Sequence, residues 1–316
     1  MTALSGGPRG AVSPGRPSGL VIVDKPGGMT SHDVVARIRR LAGTRRVGHA
    51  GTLDPMASGV LVVGVEKATR LLGYLSLTRK EYAATIRLGQ STTTDDAEGE
   101  TAGGAPAAGI ARERLDAEIA KLTGEIRQVP PQVSAIKVDG TRAYKLTRAG
   151  AAPELAARPV TVYEFTVTDL RPAGDFLDID ATVCCSSGTY IRALARDLGA
   201  ALGTGGHLTA LRRTAVGPYR LDQARTLDDL AERMVVTPLA QAAAAAFPRL
   251  DLSEDEAQRL ARGARIPLPA SVPALPAVAP APPAGAMAAF APDGTLVALV
   301  TEDAGRLRSL AVFAAS

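Results

Sequence analysis

The first buried pattern in the chain is the apolar run Leu20-Val21-Ile22-Val23, which reads as a short strand ended by Lys25-Pro26-Gly27-Gly28. Thr30 or Ser31 can then cap a helix over 32–42, whose apolar positions Val34, Val35, Ile38 and Leu41 fall on one face. Val60-Leu61-Val62-Val63 predicts a second buried strand, and Tyr82 to Leu88 alternates as a third. A Gly/Ala-rich loop over 97–110 precedes a helix around 112–122 and a Pro-Pro turn at 130–131. Val160 to Leu170 and Phe176 to Cys184 both alternate with period two, and Ala173-Gly174-Asp175 supplies the hairpin turn between them. Ile191 to Leu202 returns to helical spacing.

These elements follow no βαβ rhythm, so the expected class is α+β, a mixed and largely antiparallel sheet flanked by helices. Residues 1–18 hold little to bury and predict a disordered leader. The main unit is expected over 19–240. A smaller, β-barrel-like unit is expected over 241–316, with a polar helix over 253–262 and two strands around the turn Asp293-Gly294. Leu307 to Phe313 reads as its last strand. Seven prolines between Arg265 and Gly285 make 266–285 a stiff, extended loop.

With 316 residues, 46% of them hydrophobic, the chain can build a substantial core. Only 3% are aromatic and none is Trp, so packing rests on Leu, Val, Ile and Ala. The net charge is +4, and 30 of the 36 basic residues are Arg, whose planar fork suits phosphates and bases. Residues 241–316 carry six Arg against seven acidic residues, so the positive excess lies in 1–240. Cys184 and Cys185 are neighbours, and the three His (32, 49 and 207) have no metal-binding spacing, so no metal is expected. No charged-then-apolar leader and no apolar run of about 20 residues is present, which predicts a cytoplasmic protein with no membrane contact.

The most informative stretch is Val47-Gly48-His49-Ala50-Gly51-Thr52-Leu53-Asp54-Pro55-Met56-Ala57-Ser58-Gly59-Val60-Leu61. It is a glycine-punctuated loop that delivers one carboxylate just before a buried strand, with Pro55 biasing Asp54 to extended geometry. The string resembles the motif around the catalytic aspartate of the bacterial TruB family of tRNA pseudouridine synthases. Gly19 to Pro26, Lys80-Glu81-Tyr82, Ser134 to Gly140 with Tyr144, Arg158 to Val162, Ser187 to Arg192 and His207 to Arg213 resemble further elements of that family, in the same order.

The resemblance implies a pseudouridine-synthase fold with a PUA-type C-terminal unit. The implied reaction is isomerisation of a uridine to pseudouridine at position 55, in the T loop of tRNA, with the target base flipped into a pocket. Asp54 would act as nucleophile or base, Arg192 would pair with it, and Tyr82 would stack on the uracil. Tyr190 and Leu211 would line the pocket and His49 would contact the RNA. Lys25 would support the loop, and Arg212 and Arg213 would meet phosphates. The implied partner is the T arm of tRNA, bound by a monomer without any cofactor. A non-catalytic tRNA-folding chaperone, or a synthase acting on another RNA, are the alternatives, and a chain ending near residue 240 is expected to stay competent provided it folds. If the site needs no metal, exhaustive chelation should leave turnover unchanged once the RNA has been folded. Activity lost to a chelator and restored only by zinc would overturn that expectation.

Overall fold

The computed structural model describes residues 18–133, 137–138, 141–142, 155–269 and 285–314. A large sheet is built from β1 (Gly19–Lys25), β2 (Val47–His49), β3 (Ser58–Val65), β4 (Lys80–Leu88), β5 (Gly124–Gln128), β6 (Arg158–Ala173), β7 (Phe176–Cys185), β8 (Gly206–Val216), β9 (Tyr219–Arg220) and β10 (Thr237–Pro238). The order across it is β10-β1-β3-β8-β4-β7-β6-β5, with β2 pairing on β3 and β9 on β8. All these pairings are antiparallel except β3 with β8. The helices are α1 (Ser31–Ala42), α2 (Leu72–Leu75), α3 (Arg112–Lys121), α4 (Ile191–Leu202), α5 (Leu227–Glu232), α6 (Leu239–Ala246) and α7 (Glu254–Ala261). The architecture is of the α+β class, with the mixed and largely antiparallel sheet flanked by helices that the sequence pattern implied.

The unbroken apolar runs of β1 and β3 have a physical reason: both faces of this part of the sheet are covered. Val21, Val23, Leu61 and Val63 pack with Val34, Val35 and Ile38 of α1, while Leu20, Ile22, Val60 and Val62 face the opposite way into a second cluster. Farther across the sheet β4 alternates. Tyr82, Ala84, Ile86 and Leu88 point at Leu194 and Leu198 of α4 and Leu115 of α3, leaving Ala83, Thr85 and Arg87 on the outer face. Close contact between α4 and the start of β8 depends on Gly199, where a Cβ would lie 2.2 Å from Gly206 N.

β8 is the longest strand that the periodicity does not predict. Its inward positions include His207 and Arg213, both buried, so the apolar alternation that marks β4 is broken. It nevertheless joins the two halves of the sheet, parallel to β3 on one side and antiparallel to β4 on the other.

A second sheet contains β11 (Arg249–Asp251), β12 (Ile266–Pro267), β13 (Met287–Phe290), β14 (Leu296–Asp303) and β15 (Arg306–Val312), in the order β11-β13-β14-β15-β12. It curls into a half-barrel. The Pro-rich stretch expected over 266–285 falls largely outside the described residues, as do Ser134, Tyr144 and the leader up to residue 17.

The two sheets share one apolar cluster. Leu20 and Ile22 of the first meet Ala242 and Ala243 of α6, and the same cluster continues through Ala288, Phe290, Leu299 and Phe313 of the second. Lys67 Nζ donates to Phe313 O at 3.1 Å, and the Tyr74 hydroxyl donates to Leu310 O at 3.1 Å. Removing residues 247–314 would strip these partners and uncover apolar surface worth about 1.5–3 kcal/mol for each Leu or Phe exposed. We therefore expect a chain ended at residue 246 to aggregate or to unfold without a cooperative transition, measured by thermal denaturation and dye binding. A soluble fragment with a sharp transition would show that the first sheet is self-sufficient.

Candidate active site

Asp54 lies in the loop between β2 and β3, where no strand partner is available, so other elements must satisfy the backbone. Gly51 O and Thr52 O accept from the two Nη groups of Arg213 at 3.0 and 3.4 Å. Leu53 N donates to Ser31 Oγ at 2.9 Å, and Leu53 O accepts from the same hydroxyl at 3.1 Å. Asp54 O accepts from Ala57 N at 3.1 Å, closing a turn. Pro55 O accepts from Gly28 N at 2.8 Å and from Lys25 Nζ at 3.3 Å. Gly51 has φ 89°, a left-handed backbone that glycine adopts without strain.

Arg192, in the first turn of α4, is only 3% exposed and spreads its guanidinium over three chain segments. Nε donates to Asp54 Oδ2 at 3.0 Å. Nη1 donates to Thr94 O at 2.8 Å and lies 3.5 Å from Asp96 Oδ2, while Nη2 donates to Val133 O at 2.9 Å. One turn later Arg196 pairs with Asp95 at 3.1 Å and donates to Val129 O at 2.8 Å. Asp95 holds φ 60°, which for a side-chain-bearing residue costs on the order of 1 kcal/mol. Burial pushes its carboxyl up, and the Arg196 and Arg192 cations oppose that shift.

Of the residues the sequence pointed to, Asp54, Arg192, Tyr82, Tyr190 and Leu211 line one cleft. Burial pushes the Tyr82 hydroxyl up to about 12, against the pull of the Arg213 cation. Gln128, from the edge strand β5, grips the Tyr190 peptide from both sides: Tyr190 N donates to Oε1 at 2.8 Å and Nε2 donates to Tyr190 O at 3.1 Å. Lys80 also lines the cleft, with Nζ donating to Ser76 O at 2.8 Å and Thr78 O at 2.9 Å.

Lys25, His49 and Arg212 do not line this cleft. Lys25 is fully buried and donates to Pro26 O, Met29 O and Pro55 O, which makes it a brace for the loop. Arg212 turns to the outer face, where it meets Asp24 Oδ2 at 2.6 Å and Ser58 Oγ at 3.2 Å. The His49 ring stands edge-on to His32, with centroids 5.6 Å apart. Burial, aided by His32 and Arg213, lowers its pKa to about 4, so it is neutral at pH 7. Arg213 is 1% exposed and serves the Asp54 loop from beneath, also donating to Val60 O at 2.8 Å, so it is not open to a phosphate.

Sequence reasoning passes over Asp96 and Gln128. The available signal was the run Thr92-Thr93-Thr94-Asp95-Asp96, hydroxyls and carboxylates poised for a tight turn, in a chain where a buried cation needs acceptors.

The fold is that of the pseudouridine synthases, isomerases that act on RNA. Residues 39–191 match the TruB family pseudouridylate synthase N-terminal domain. Residues 192–244 match the tRNA pseudouridylate synthase B C-terminal domain, and 247–314 the tRNA pseudouridine synthase II C-terminal domain. The chain is 62% identical over 302 residues to tRNA pseudouridine synthase B of Thermobifida fusca, covering 94% of this chain and 99% of that one. It is likewise 62% identical over 301 residues to the protein of that name from an Arthrobacter species, covering 95% and 97%. A solved H/ACA ribonucleoprotein bound to a substrate RNA containing 2'-deoxyuridine superposes with a TM-score of 0.69 at 26% identity, covering 94% of this chain and 85% of that one. A Cbf5-Nop10-Gar1 complex gives 0.67 at 28%, covering 94% and 84%. The chain belongs to the TruB family of pseudouridylate synthases.

Burial lowers Lys80 from 10.5 to about 8, with the Arg213 cation adding to the effect. Between pH 8 and 10.5 the unfolded chain therefore holds a proton that the folded chain has released, and stability gains with rising pH across that window. Below about pH 8 both states are protonated and the cost of the buried charge is fully present. We expect Lys80→Met to remove this gain, so that the urea midpoint of wild type rises relative to that of the variant between pH 7.5 and pH 10. A difference that stays constant would show that Lys80 does not titrate in this window.

Proposed function

We propose that this chain converts a uridine of tRNA into pseudouridine, at position 55 in the T loop, with Asp54 as the reacting carboxylate. The observation that carries the reading is the environment of that carboxylate. Oδ2 is held at 3.0 Å by the buried Arg192, whereas Oδ1 has no hydrogen-bond partner among the described residues and 36% of the side chain stays exposed at the cleft. One oxygen is oriented and the other is free to react.

The reaction breaks N1–C1′ and forms C5–C1′. The hydrogen on C5 is lost and N1 gains one, so atoms balance and no electrons enter or leave. Asp54 acts as nucleophile or base while the ring detaches and turns. Tyr82 offers an aromatic face for the extruded base, and Tyr190 and Leu211 close the walls. Lys25 and Arg213 hold the loop; His49, at its start, meets the RNA beside the emptied position, and Arg212 is available to a phosphate only if Asp24 lets go.

The names of the relatives support tRNA as the RNA class. We further propose that a monomer acts in the cytoplasm on the T arm, with 19–240 as the catalytic unit and 241–316 as a PUA-type unit. No helix among the described residues is long and apolar enough to cross a membrane.

Asp54→Asn preserves size and most hydrogen bonding but removes the negative charge. Turnover should become undetectable while tRNA affinity stays within about tenfold, or about 1.4 kcal/mol. The measurement is single-turnover pseudouridine formation with a parallel filter-binding titration. Wild-type turnover in this variant would end the assignment.

A further inference from the structure

Ser31 occupies the first turn of α1, 22 residues from the loop it touches, and is 1% exposed. Its hydroxyl is used in both senses on a single residue, accepting from Leu53 N and donating to Leu53 O. This imitates the exchange a neighbouring strand would make, at a point where β2 has ended at His49 and β3 begins only at Ser58. The hydroxyl is itself held in place, because Thr30 and Asp33 form a capping box around that first turn. Thr30 N donates to Asp33 Oδ2 at 2.9 Å and Asp33 N donates to Thr30 Oγ1 at 3.1 Å. Leu53 is anchored at its other end, its side chain 3% exposed in the core.

We propose that Ser31 is a positioning residue for the reaction: it sets the orientation of the peptide that enters Asp54, while Arg192 sets the carboxylate. The inference rests on the reading of Asp54 as the reacting group. Lys25 and Arg213 hold carbonyls on either side of this peptide, but neither hydrogen-bonds to Leu53 or Asp54. Without the Ser31 hydroxyl, Leu53 N and O would be buried without partners, and the peptide would rotate to find others. The side chain of Asp54 would then swing about its contact with Arg192.

The test is single-turnover kinetics on an unmodified tRNA transcript at saturating enzyme, with affinity measured separately, for Ser31→Ala and Ser31→Cys. Cysteine keeps nearly the volume of serine but is a weak hydrogen-bonding group, so it decides the matter if the alanine variant fails to fold. The rate constant of the bound complex should fall about tenfold to a hundredfold, the scale of an error of order 1 Å in placing a reacting group. Affinity should stay within about threefold, since Ser31 is buried away from the surface. A role in stability alone would lower the unfolding temperature and leave that rate constant intact, which would overturn the proposal, as would weakened binding with an unchanged rate. Asp54→Asn is run alongside. If it is inactive while the Ser31 variants react normally, only this inference fails; if it is active, the assignment of Asp54 fails and this inference with it.

Discussion

A guanidinium that is almost wholly removed from water must place every N–H on an acceptor, and Arg192 meets that demand by reaching three separate stretches of chain. Asp54, the Thr94–Asp96 turn and Val133 converge because one cation needs them all. Removing a partner from such a buried pair commonly costs about 3–5 kcal/mol, because the charge that remains is uncompensated. Placing α4 against β8 through Gly199 fixes the base of that cation, and the strained backbone at Asp95 persists only because two arginines hold the turn.

The same economy recurs around the cleft. A chain with few aromatic residues cannot brace an irregular loop with large rings, and it uses long cationic side chains instead. Arg213 and Lys25 are among the largest fully buried side chains, and each ends on carbonyls of the loop that carries Asp54. Their charges are buried for geometry, which is why the pKa values of Lys25 and Lys80 fall to about 8. Precision at the carboxylate is obtained at a cost in stability of the surrounding core.

Much of this was legible in the sequence, for reasons that differ by element. The runs in β1 and β3 are continuous because both faces are covered, and the hairpin of β6 and β7 alternates because one face meets water. β8 escaped because a buried Arg213 at an inward position looks like a polar interruption, although it is what the loop hangs on. Asp54 and Arg192 were found through resemblance, since an Asp-Pro in a loop and an Arg on a helix carry no catalytic mark in composition. Asp96 showed only as part of a polar turn and Gln128 not at all, because their importance lies in what they hold, across 96 and 62 residues of chain respectively, and no local pattern encodes a partner so distant.

The cluster shared by the two sheets bears on how the protein comes into being. Leu20 and Ile22 emerge early in synthesis, yet Phe290, Leu299 and Phe313, which share their cluster, are made only after the whole first sheet. The apolar face of the first sheet therefore stays open until the second sheet has been made. The order of synthesis thus separates the making of the site, all of whose residues precede residue 214, from the covering of the sheet that carries it.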